Sequence, residues 1–252
     1  MSTSCPDSAS LTKTTIKESP HLLADCEDLF VSCFPKFVTN PNLDIHMPLH
    51  SIGDLEYIVI LMEKERVVAF GIAVPFYWSG DIKDLPTFDQ SVRCGLEIQS
   101  LKKSFNSLNG YAICVSPDQR GKGLAKKVIS EMKSMAKKEK CSHLLIPARP
   151  SRKHMYPLQS CLEYSKWRRN DGKLVDDWLR IHENLGAKYL LAMEDCDVYA
   201  GPLDEWSEST GMIFPQSGSY IVPGALSPLI VDIDKDIGMV REGNVWMSHP
   251  ID

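Results

Sequence analysis

The sequence lacks any long apolar run. The longest uninterrupted one, residues 57–62, falls far below the roughly 18 residues that suggest a membrane-spanning helix. Residues 1–20 are largely polar and carry no apolar stretch of the kind that drives secretion. The resulting expectation is a cytoplasmic protein with no membrane partner. The eight cysteines include no C-x-x-C pair and no close His pair, so neither a zinc site nor a redox motif is signalled and no metal is expected. Positive charge is not in excess either: 28 Lys and Arg stand against 33 Asp and Glu, a formal charge of −5 with a pI near 5.8. Such a chain supplies no global field for phosphodiester backbones, and no nucleic-acid partner is expected. No internal repeat or low-complexity segment is evident.

What is present is a chain able to bury a core, with 43% hydrophobic and 24% charged residues over 252 positions. Residues 1–20 read as a loose, flexible tail. In residues 21–37 the apolar positions Leu22, Leu23, Cys26, Leu29, Phe30 and Cys33 recur at helical spacing. Residues 56–62 and 66–74 form a hairpin pattern around Glu63-Lys64-Glu65. A loop with Phe76, Tyr77 and Trp78 follows, then a helix over about 90–105 with Val92, Leu96 and Leu101 inward. Residues 111–115 read as a buried strand, and 121–139 as the clearest helix, with Leu124, Val128, Ile129, Met132 and Met135 on one face. A strand at 143–147, a helix at 174–185 ended by Gly186, and a strand at 188–193 complete an alternating α/β layer pattern. Beyond residue 201 the texture is Gly, Pro and aromatic residues with short β runs at 220–222 and 229–232. This segment, 201–252, reads as a β-rich extension packed on a core of residues 21–200.

The strand ending at Val115 runs through Ser116-Pro117-Asp118-Gln119 into Arg120-Gly121-Lys122-Gly123-Leu124-Ala125, which opens the best helix. A helix N-terminus leaves backbone N–H groups unpaired and carries positive potential, so phosphate oxygens can supply the missing acceptors. Glycines let a ligand approach that backbone. Neither Gly-Lys-Ser/Thr nor G-x-G-x-x-G is present, which sets aside a P-loop and a Rossmann turn.

Arg120, Gly123 and Ala125 fit the spacing Arg/Gln-x-x-Gly-x-Gly/Ala, and here the sequence resembles the GNAT superfamily of acyl-CoA-dependent acyltransferases. The resemblance covers residues 20–200 and implies a mixed central sheet flanked by helices. It also implies acetyl-CoA or another acyl-CoA as cosubstrate, held by Val115, Arg120, Gly121, Lys122, Gly123, Leu124 and Ala125. A small-molecule amine or a carrier protein is the implied acceptor. In many family members a Phe-Tyr-x-x-x-Gly-Phe stretch supplies a Tyr that protonates the leaving thiolate; the matching Ile181-His182-Glu183-Asn184-Leu185-Gly186-Ala187 puts His182 there. An imidazole can both accept and return a proton.

The stretches RPSRKHMYPL, WRRNDGKLVDDWLRIHENLGA, FPQSGSYIVPGAL and NVWMSH resemble a GNAT-like branch that includes the loading domains of curacin-type polyketide synthases and malonyl-CoA decarboxylases. That resemblance implies catalytic roles for Ser151 and His182 on a malonyl carboxylate, and an acyl pocket lined by Phe76 and Trp78. The cluster Arg149, Lys153 and Tyr156, just past a strand end, adds candidate substrate contacts. One departure stands out: where the branch carries an Arg after Gly186, this chain has Glu194, Asp195 and Asp197. Those acids suit either a solvated strand end or a cationic acceptor. Three functions therefore stand open: acyl transfer to an amine or carrier thiol, decarboxylation of malonyl-CoA or methylmalonyl-CoA, and CoA binding without turnover.

Overall fold

A computed structural model describes residues 11–43 and 56–251. Its frame is a mixed sheet, nine-stranded among the described residues, in the order β1-β2-β3-β4-β5-β9-β8-β7, with β6 on the free edge of β9. The hairpin is β2 (Ile58–Glu63) and β3 (Arg66–Phe76), turning at Lys64 with φ 57°. β4 (Ser107–Val115) continues the antiparallel run, whereas β5 (His143–Ala148) joins it in parallel. A parallel neighbour needs a crossover, and α3 (Leu124–Lys138) provides it.

The predicted apolar stripe of α3 is buried through Leu124, Val128, Ile129, Met132 and Ala136. It lies close on the sheet because β3 has no side chain at Gly71: a Cβ there would meet Val128 Cγ1 at 2.4 Å and Met132 Sδ at 2.7 Å. α5 (Asp177–Asn184) shares that face, with Leu179 in the same core as Ile146 and Ala148. The opposite face is covered by α1 (Leu23–Cys33) and α2 (Phe88–Ser100). α2 starts at a capping box, in which Thr87 and Gln90 satisfy each other's backbone N–H groups. It ends at residue 100, before the expected 105, and Leu101 is 60% exposed where the spacing had it inward.

Three further expectations need correction. Within the expected tail, Leu11–Thr15 forms β1, an edge strand on β2. Main-chain pairing builds it without any apolar pattern, and Lys13 Nζ reaches Glu131 of α3 at 2.7 Å; residues 1–10 lie outside the described residues. In the segment read as having no helical period, α6 (Leu203–Thr210) forms after Pro202 and buries Trp206 completely, its indole N–H donating to Gly238 O at 3.0 Å. Finally, β6 (Lys188–Gly201) runs well past the expected 188–193, and β9 (Ile237–Pro250) forms where no strand was foreseen. β9 takes β6 along one edge; along the other it takes β8 (Leu229–Asp232) at its start and β5 at its end. β7 (Gly218–Tyr220) completes that side. The end of the expected extension thus lies inside the sheet, between β5 and β6.

Candidate active site

β4 and β5 pair over only Ser107↔His143, Leu108↔Leu144 and Asn109↔Leu145. β4 then runs on to Val115 and β5 to Ala148 without further pairing to each other. The divergence has a local cause: against β3, Ile72 faces Ala112 and Ala73 faces Gly110, so Tyr111 is an extra residue. A bulge of this kind bends its strand and strengthens its twist. The result is a cleft between two parallel strands beyond the Asn109↔Leu145 pair.

The predicted phosphate loop lies past the β4 end of this cleft. Gly121 and Gly123 have φ +81° and +79°, and nothing lies within 4 Å of a Cβ built on either. Gly123 is the N-cap of α3, no side chain caps the helix, and its first turn holds no acid. The adjoining turn is clamped to β3 by Arg66, whose guanidinium donates to both Asp118 oxygens at 2.9 and 2.8 Å and to Ser116 Oγ at 2.7 Å. That pairing holds the Asp118 carboxyl well below the usual carboxylate range. Lys122 Nζ bonds Gln119 Oε1 at 2.8 Å, and Val115 O accepts from Cys33 Sγ at 3.6 Å. Open space, left-handed glycines and an uncapped helix start suit a phosphate group. Arg120, Leu124 and Ala125 complete the same turn, Leu124 pointing into the core.

The other predicted residues have different fates. Phe76 stacks on Trp246 with centroids 6.4 Å apart, and Trp78 is 7% exposed, with Nε1 donating to Asp81 O at 2.9 Å and its ring edge-on to His143. Both rings belong to one buried cluster with Leu85 and Leu145. Arg149 is bound by Glu242 at 2.6 and 3.0 Å and by Gly224 O at 2.8 Å. Lys153 is buried, with Nζ donating to the carbonyls of Leu226 at 2.7 Å and Tyr156 at 3.1 Å; burial pushes its pKa down. These two cations tie the β7–β8 connection to the end of β5. The Tyr156 ring packs against Tyr164 and Trp167.

Ser151 and His182 mark opposite ends of α5. Ser151 Oγ is 3.3 Å from Asp176 Oδ1, the helix N-cap, whose carboxyl also accepts from Arg152 N, Tyr164 OH, Trp178 N and Leu179 N. His182 is six residues further on, about 9 Å along the axis. It is fully buried, edge-on to Trp178 at 4.3 Å, with Nδ1 2.8 Å from His249 Nε2 on β9. Burial pushes both imidazoles well below their usual pKa, Lys133 adding to the effect on His249. His182 Nε2 and His249 Nδ1 are buried with no protein partner.

The model of the Acetyltransferase (GNAT) family matches residues 23–159, more than half of the chain. The chain belongs to the GNAT family. A curated relative, "Arginine N-acetyltransferase avaD" of Aspergillus versicolor, is 27% identical over 260 aligned positions, covering 91% of this chain and 89% of the relative. Among solved structures, the loading GNATL domain of CurA from Lyngbya majuscula superposes with a TM-score of 0.57 at 14% identity, covering 96% and 97% of the two chains. The GphF GNAT-like decarboxylase, solved with isobutyryl-CoA, gives 0.59 at 11% identity over 96% and 100%. At such identities the likeness is one of fold.

Within this GNAT frame, sequence reasoning missed the Tyr111 bulge, Asp176 and His249. Asp176 was legible as an N-cap before Trp178-Leu179. His249 had no signal beyond its place in a strand. The three acids after Gly186 also resolve individually. Met193 faces Asn244 and Asp197 faces Glu242, so Glu194, Asp195 and Cys196 bulge out of β6 opposite Gly243. Glu194 accepts from the N–H groups of Cys161 and Leu162, both at 2.8 Å, at the start of α4 (Cys161–Tyr164). Asp197 is buried and accepts from Asn244 Nδ2 at 2.8 Å. Asp195 alone fits a solvated strand position.

Proposed function

We propose that this protein transfers an acetyl group from acetyl-CoA to the amine of a small cationic acceptor, arginine or a close analogue. The observation that carries the reading is the uncapped, glycine-lined start of α3 at the end of the β4–β5 cleft; the acceptor class rests on the arginine N-acetyltransferase relative. In this reading the N–H groups of Gly123, Leu124 and Ala125 hold the pyrophosphate, with Arg120 and Lys122 beside it, and the pantetheine arm runs from Val115 along β4 into the cleft. His182 stands at the family's proton-donor position, and its exchange of a proton with the leaving thiolate requires that the buried ring become accessible when acyl-CoA binds.

Decarboxylation is the weaker reading. A malonyl carboxylate gripped by Ser151 would lie against the Asp176 carboxyl, a like charge, and about 9 Å along the helix from His182. The test is mass spectrometry of products after incubation with acetyl-CoA plus arginine, and with malonyl-CoA alone. Acetylarginine and an equal amount of free CoA are expected; carbon dioxide release from malonyl-CoA, with acetyl-CoA untouched, would reverse the assignment.

A further inference from the structure

We infer that the β2–β3 hairpin turn belongs to the cofactor machinery: Arg66 and Glu63 are positioning residues that hold the phosphate loop in its binding shape through Asp118, Ser116 and Gln119. This rests on the CoA-cradle reading above and extends it to two strand ends that carry none of the family's signatures.

Residues 116–123 have few means of holding their own shape. Pro117–Gln119 is a single 3₁₀ turn that Ser116 does not cap with its side chain. Gly121 and Gly123 follow in left-handed conformations, and glycine gives up more backbone freedom on ordering than any other residue. The start of α3 has no side-chain cap either. The hairpin supplies the restraint. Arg66, the first residue of β3, donates to both Asp118 oxygens at 2.9 and 2.8 Å and to Ser116 Oγ at 2.7 Å. That hydroxyl donates in turn to Asp118 Oδ1 at 2.5 Å. Glu63, the last residue of β2 and the cross-strand partner of Arg66, accepts from Gln119 Nε2 at 3.3 Å. Gln119 is buried, and its amide also reaches Asp118 Oδ2 at 3.2 Å and Lys122 Nζ at 2.8 Å. One side chain thus links the hairpin to a cation of the cradle.

An isolated ion pair on the surface contributes little. Here one planar guanidinium is held by three oxygens, and its rigid fork loses less freedom per bond than a lysine would. The loop is therefore ordered on folding and need not be ordered again when CoA arrives, which raises affinity without a further contact to the ligand. The clamp also accounts for a carboxylate, Asp118, in a turn that leads to a phosphate site, where its charge alone would repel the ligand.

Arg66 and Asp118 carry opposite charges, and this makes the inference decidable. If they acted on the phosphates through their fields, Arg66→Gln would weaken CoA binding and Asp118→Asn would strengthen it. As a clamp, both weaken it. The test is isothermal titration with CoA, and steady-state acetylation of arginine, for wild type, Arg66→Gln, Asp118→Asn, the double variant, Arg66→Lys and Glu65→Gln. Each clamp variant should bind CoA about tenfold more weakly, with the KM for acetyl-CoA raised to match and kcat at saturation unchanged. The double variant should be no weaker than either single one, because each already opens the same clamp. Arg66→Lys should recover part of the loss. Glu65→Gln, which removes an exposed charge from the same turn, should stay within a factor of about two of wild type. Asp118→Asn binding CoA as tightly as wild type or more tightly, or Glu65→Gln matching the loss in Asp118→Asn, overturns the clamp. Failure of wild type to bind CoA would instead overturn the cradle reading on which it stands.

Discussion

At Gly123 two demands meet, a left-handed φ of +79° and room for a ligand beside the helix start. Asn and Asp both tolerate that conformation better than other side chains, so Gly123→Asn measures the geometry and Gly123→Asp adds a charge. Isothermal titration with CoA should find the Asp variant weaker than the Asn variant by at least about tenfold, or 1.4 kcal/mol; equal affinities would move the cradle elsewhere. His182 and His249 predict a pH response of stability. Their folded pKa values lie below the unfolded one near 6.5, so below that pH the unfolded chain binds more protons and stability falls as pH drops. The slope approaches about 1.4 kcal/mol per pH unit for each histidine. Urea denaturation between pH 5 and 7 should show it, and His249→Gln should remove one histidine's share. The left-handed glycine turn before α3 was legible because turn glycines before an amphipathic helix form a local pattern. The partner of His182 was not, since residues 182 and 249 meet only through the pairing of distant strands. Arg149 and Lys153 looked like ligand cations for a related reason: sequence shows a charge but not the buried Glu242 or the carbonyls that hold it.

α5 depends on Asp176 more than on its own helix propensity. The carboxyl caps Trp178 and Leu179 and also holds Arg152 N, Ser151 and the buried Tyr164 hydroxyl. Asp176→Ala removes the cap and strands a buried donor, and should cost about 2–4 kcal/mol by urea denaturation. Trp78, offered by the sequence as a pocket wall, is an anchor for the connection after β3. Trp78→Ala should lose about 3–5 kcal/mol of stability while the ratio of acetyl to propionyl transfer stays unchanged; a shifted ratio in a stably folded variant would restore the pocket role. Elements defined by local periodicity, such as α3 and the β2–β3 hairpin, were readable. The full length of β6 and the existence of β9 were not. A bulge at Glu194–Asp195–Cys196 interrupts the alternation of one, and the other is buried along most of its length, so neither shows a clean period of two.

Across the whole molecule the segment after residue 201 is structural. It contributes Trp206, Phe214, Val222, Leu229, Val231 and Val240 to a core shared with Phe37, Val38 and Leu43. Each such side chain is worth about 1.5–3 kcal/mol on burial, so a chain ending at Gly201 should be insoluble; soluble, active protein from it would contradict this architecture. The place of β9 also bears on how the protein is made. Synthesis delivers β5 and β6 well before the strand that separates them, and on the ribosome each waits with an open edge able to pair with another chain. The cleft side facing α1 and α2 can form early, but the His182–His249 contact cannot exist until residue 249 has emerged. A nascent chain therefore keeps an open sheet until β9 is in place, and this interval is where its yield is expected to respond to chaperones and to temperature.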